Sequence, residues 1–93
     1  MANSTGDVSL LHSRLRALRD ELERVRQRDR RRLAEAERRI EAGTMHPPTS
    51  PEGMHELFQA YEERAFVRGR LDALSGVLDR LDRVLGMPAQ GQA

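Results

Sequence analysis

The sequence predicts an all-α protein of two long antiparallel helices, a coiled-coil hairpin that completes a four-helix bundle as a dimer or with a partner. Leu71, Leu74, Leu78, Leu81 and Leu85 recur at alternating steps of three and four, the seam of a helix packed along another helix. Val8, Leu11, Leu15, Leu18, Leu22 and Val25 repeat those steps earlier in the chain. Between the runs lies Thr44–Thr49, TMHPPT, a short connection stiffened by Pro47 and Pro48 that reads as the tip of a hairpin. Composition agrees: 33% charged, 38% hydrophobic and only 3% aromatic residues suit long helices better than a sheet.

A chain of 93 residues is expected to hold one small domain with a thin core. Residues 1–6 read as a disordered N-terminus and residues 87–93 as a disordered tail. The first helix is expected over 7–43, with Asp7 as its cap and Gly43 as its stop. Its heptad breaks at Asp29 and resumes as Leu33, Ala36 and Ile40, a stutter that relaxes the supercoil locally. After a loop over 44–50, the second helix is expected over 51–86. Ser50 serves as N-cap, Pro51 occupies the first helical position and Glu52 opposes the helix dipole. A short connection between long helices makes them antiparallel neighbours.

The chain has no cysteine, so neither disulfides nor thiolate chemistry are available to it. No apolar run approaches a membrane span or a signal-peptide core, so a cytoplasmic location without membrane association is expected. All sixteen basic residues are Arg. Residues 7–42 carry eleven Arg against eight acids, a balance of +3, and residues 51–86 carry five against seven, −2. Opposite signs suit segments that lie against each other.

In an antiparallel hairpin, facing residues have a nearly constant sum of numbers. A sum of 93 pairs Leu22 with Leu71, Leu15 with Leu78 and Val8 with Leu85. It also sets Asp29 against Arg64, an expected ion pair in the seam. Such a pair adds little net stability but penalises slipped alignments that would bury an unpaired charge.

A second stripe on the later helix, Phe66, Gly69, Ala73, Gly76, Val77 and Val84, lies off the leucine seam. Glycine costs about 1 kcal/mol relative to alanine inside a helix. Two glycines seven apart on one face therefore suggest that another backbone packs closely there. This stripe is the expected partner interface, for a protein partner or for a second copy in a homodimer.

The run RVRQRDRRR from Arg24 to Arg32 is a candidate anion site, with Arg24, Arg28, Arg31 and Arg32 on the first helix and Arg68, Arg70 and Asp72 on the second. A nucleotide or nucleic-acid ligand is an alternative to an acidic protein surface. No aromatic residue interleaves with the run for base stacking, and no turn sets a recognition helix. Glu52-x-x-His55 with Glu62 has the spacing of a metal-binding bundle. It opens a helix beside Gly53, however, where a capping acid and a surface histidine account for it, so no metal site is assigned. There is no phosphate loop, no nucleophile–base constellation and no histidine near Ser75. The expectation is a protein that is not an enzyme and carries no cofactor.

The stretches YEERAFVRGRLDAL (61–74) and LLHSRLRALRDEL (10–22) resemble the helices of RsiG-type anti-sigma factors of actinobacteria. The resemblance implies an antiparallel hairpin that sequesters a sporulation sigma factor. That family reads cyclic di-GMP with Glu, Ser, Arg, Gln and Asp at spacings of four, three, four and four. Setting the final Asp on Asp72 puts the motif Arg on Arg64, but the other positions fall on Leu57, Tyr61 and Arg68. In the first helix only Ser13 and Arg16 keep the Ser-x-x-Arg spacing. What carries over is protein binding. The functional expectation is thus a helical interaction module that regulates transcription by holding a factor such as a sigma factor.

Overall fold

The computed structural model describes residues 3–86, with side chains from Val8 onward. Two helices, α1 (Asn3–Met45) and α2 (Pro51–Val84), pack along each other as an all-α antiparallel hairpin. The molecule measures 72 × 28 × 14 Å, so it is one helix thick and has no interior beyond the α1–α2 seam. Ala36, Ile40, Ala60, Val67, Leu78 and Leu85 are the buried apolar side chains of that seam. The expected tail at 87–93 lies outside the described residues.

The start of α2 follows from its capping residues. Ser50 is extended, and its hydroxyl accepts a hydrogen bond from the Gly53 amide at 3.0 Å, satisfying an amide that the first turn would otherwise leave bare. Pro51 lies at the first turn, where its missing amide hydrogen costs nothing. At the other end, Gly86 takes φ = 70° and ends the helix, a conformation that side chains with a Cβ avoid.

The first helix differs from expectation at both ends. It begins at Asn3 instead of Asp7, so Asp7 lies inside the helix and does not cap it. It also runs through Gly43 to Met45. Gly43 serves close packing instead of termination: a Cβ there would lie 2.6 Å from Leu57 Cδ1 on α2. The Thr44 hydroxyl bonds back to the Ile40 carbonyl, and the helix stops where Pro47 disfavours helical geometry for His46.

The Gly43–Leu57 contact also sets the register, and it corrects the expected one. These numbers sum to 100, not 93, a displacement of seven residues or one heptad. Seam positions still meet seam positions, so the leucine pattern is equally well satisfied. In this register Leu15 comes level with Leu85, and Val8 lies beyond the described end of α2. The exposures agree, with Leu85 at 7% and Val8 at 65%. The first turns of α1 therefore project past the end of α2, leaving Val8, Leu10 and Leu11 exposed.

The same displacement corrects the seam ion pair. Asp29 is fully buried, and its neighbours are Arg70 Nε at 3.0 Å and Arg32 Nη1 at 3.6 Å. Arg64 instead lies over the Tyr61 ring, 4.9 Å from its centroid. A second buried acid, Asp82 at 1% exposure, accepts from Arg19 Nε at 2.9 Å across the helices.

Candidate interaction surface

One face of α2 is committed to α1, and the opposite face is open. Phe66, Gly69, Ala73, Gly76, Val77 and Val84 are all exposed, as the partner-interface stripe requires. Phe66 stands 57% exposed, and beyond the helix's own adjacent backbone nothing lies within 4 Å of where a Cβ would project from Gly69 or Gly76. Nothing inside the hairpin explains either glycine. Phe58, also 57% exposed, and Ala65 extend the stripe toward the loop. Sequence reasoning missed these two because the stripe was traced forward from Phe66, although Phe58, Ala65 and Gly69 continue the steps of seven and four.

Because those two sites are open, the Gly69→Ala/Gly76→Ala double variant is expected to stabilise the isolated hairpin by about 2 kcal/mol through helix propensity alone. Urea unfolding at low micromolar concentration checks this. A lower midpoint would mean that both positions already contact something.

Beside this face, the groove between the helices is lined by Arg28, Arg31, Arg32 and Arg39 of α1, with Phe66 and Glu63 of α2 among the residues facing them. Its volume is about 830 Å³. Of the seven candidate anion-site residues, only Arg28, Arg31 and Arg32 meet there. Arg32 is held by Glu63 through Nε at 2.8 Å and Nη2 at 2.6 Å. Arg28 and Arg31 make no ion pair among the described residues.

The other candidates are dispersed. Arg24 pairs with Glu21 at 2.9 Å, and Arg68 reaches Glu37 at 3.4 Å. Arg70 is drawn to Asp29 and stacks on Phe66, 5.6 Å from the ring centroid. Asp72 is exposed and makes no ion pair among the described residues. Arg39, absent from the expected set, enters the groove but is engaged by Glu35 at 3.4 Å. Hydrogen bonding from Arg38, then the charge of that same residue, holds the Glu35 carboxyl below its ordinary pKa.

The groove is thus a mixed-charge trough with two uncommitted arginines, not a uniform basic channel. Among the described residues no group of acids and histidines is arranged to hold a metal ion, so Glu52, His55 and Glu62 do not converge into a ligand set. No helix among them is long and apolar enough to cross a membrane. Comparison with known proteins found no matching family model, no matching curated protein and no matching solved structure.

Proposed function

We propose that the chain is a non-enzymatic protein-interaction module whose working surface is the outer face of α2. The observation that carries this reading is the open stripe itself. Phe58, Phe66, Val77 and Val84 are exposed along one helix face, with two glycines between them that no contact inside the hairpin uses. A two-helix hairpin buries one face of each helix, and an added apolar face on α2 needs a cover. The resemblance to RsiG-type hairpins supplies the concrete version, a cytoplasmic regulator that sequesters a transcription factor such as a sigma factor. A second reading, an anionic ligand such as a nucleotide in the arginine groove, is favoured by one observation: Arg28 and Arg31 lack ion-pair partners there.

Gly69→Leu/Gly76→Leu tests the first reading, because both sites are exposed and a Cβ at either has open space before it. The variant is expected to keep its helicity and lose the partner that the parent chain retains on an affinity column. Retention of the same partner at the same level would overturn the reading. Binding through the apolar face is also expected to change little between low and physiological salt, whereas groove binding of a phosphate ligand would weaken steeply.

A further inference from the structure

We infer that the outer face of α2 is a homodimer interface, in which two copies pack antiparallel about a two-fold axis level with Leu71. This deepens the reading of that face as an interaction surface and rests on it.

The face is self-complementary about that point and no other. Glu62 and Arg80 are the charged residues on the midline of the stripe, with Arg83 at its edge in line with Ala65, and each of the midline pair is nine positions from Leu71. Both are exposed, and neither forms an ion pair among the described residues, although Arg19, Arg24, Arg32, Arg38, Arg39 and Arg68 all do. An antiparallel pairing about Leu71 sets Glu62 of each chain level with Arg80 of the other, closing two ion pairs per dimer. Apolar positions then match by size. Gly69 and Ala73, two residues either side of Leu71, come level, so the backbones can approach. Phe66 and Gly76, five either side, set the largest side chain against the smallest. Ala65 meets Val77, and Phe58 meets Val84.

Competing arrangements lose these matches. A parallel pairing sets Glu62 on Glu62 and Arg80 on Arg80. Sliding the antiparallel pair by a heptad sets Glu62 against Ala73 and leaves both charges unmatched. Packing the stripe on α1 of another copy meets Asp20, Arg24, Arg31 and Arg38, a charged face that offers no apolar cover. The occupant that fits is therefore a second α2, with α1 of each copy on the outside.

The test uses the full chain and reads mass by light scattering, with helicity as the folding control. The parent is expected to show twice its 10.6 kDa. Glu62→Arg and Arg80→Glu are each expected to weaken self-association about a hundredfold by bringing like charges together, and the double reversal to restore it. The chain has no cysteine, so single introduced thiols report the pairing directly. A mixture of Ala65→Cys and Gly76→Cys chains, which this pairing sets one residue off level on the same side of the two helices, is expected to form an intermolecular disulfide under mild oxidation, whereas Ala65→Cys alone is not.

A monomeric parent at about 100 μM, cross-linking by Ala65→Cys alone, or failure of the double reversal to restore the dimer would each overturn the proposal. Partner retention separates this from failure of the underlying reading. A monomer that loses its captured partner on Gly69→Leu/Gly76→Leu substitution overturns the two-fold pairing and leaves the face as an interface to a different protein. A monomer unaffected by that substitution overturns both.

Discussion

Replacing Arg19 by alanine is expected to destabilise the hairpin by about 3 kcal/mol. Asp82 is 1% exposed, and its Oδ1 accepts from Arg19 Nε at 2.9 Å while Oδ2 has no hydrogen-bond partner. Removing the guanidinium strands a buried carboxylate. That hydrogen bond, more than the charge of Asp82, also raises the already high pKa of Arg19, so the cation persists at any working pH. The reverse truncation, Asp82→Leu, is expected to cost much less, because the Arg19 side chain already reaches Asp20 at 3.6 Å near the surface. Urea unfolding of the two single variants and of Arg19→Leu/Asp82→Leu checks this. If Arg19→Ala lies within about 1 kcal/mol of the parent, Asp82 is not the buried acid described here.

Arg70→Ala is expected to cost somewhat less, about 2 to 3 kcal/mol, while Asp29→Leu is expected to be near neutral or stabilising. The asymmetry follows from burial. Asp29 is fully enclosed, whereas the Arg70 and Arg32 side chains are 41% and 39% exposed and can turn to water when the acid is removed. Arg32 remains 3.6 Å from Asp29 in the Arg70 variant, which moderates the loss, and the stacking on Phe66 is lost with Arg70. Neither carboxylate oxygen of Asp29 has an aligned hydrogen bond, so the contacts there are chiefly electrostatic and leucine can compete on equal terms. Equal costs for Arg70→Ala and Asp29→Leu in thermal unfolding would contradict this picture.

The fold was legible in the sequence because its determinants are local. Heptad spacing, the Ser50–Pro51 start, the Gly86 stop and the diproline tip each specify a few residues without reference to the rest of the chain. The pairing of the helices was not legible to within a heptad. Leucines repeat every seven residues, so a hydrophobic pattern cannot distinguish a register from its neighbour seven residues away. Asp29 against Arg64 looked like a tie-breaker, but Arg70 lies six residues further along the same helix and serves as well. What decides is Gly43, whose missing Cβ admits Leu57. A glycine near a helix end signals termination and close approach alike, and only the structure separates them.

Asp82 was missed for a related reason. Its partner, Arg19, comes opposite it only in the true register. The open stripe on α2 was legible, since it depends on one helix alone. The arginine groove was not, because which arginines share a trough depends on where the second helix lies.

The order of contacts along the hairpin also sets how it assembles. At the loop end Gly43 and Leu57 are near neighbours in sequence, whereas Arg19 and Asp82 at the open end are 63 residues apart. Joined in one step, so distant a pair would carry a large loop-closure entropy. Starting from the Pro47–Pro48 bend, each new layer needs only a short further closure, because the layer before it already holds the helices together. The hairpin therefore zips from its tip, a low-contact-order route associated with fast folding. Arg19–Asp82 and the Leu15–Leu85 layer beyond it are the last to close and the first to open.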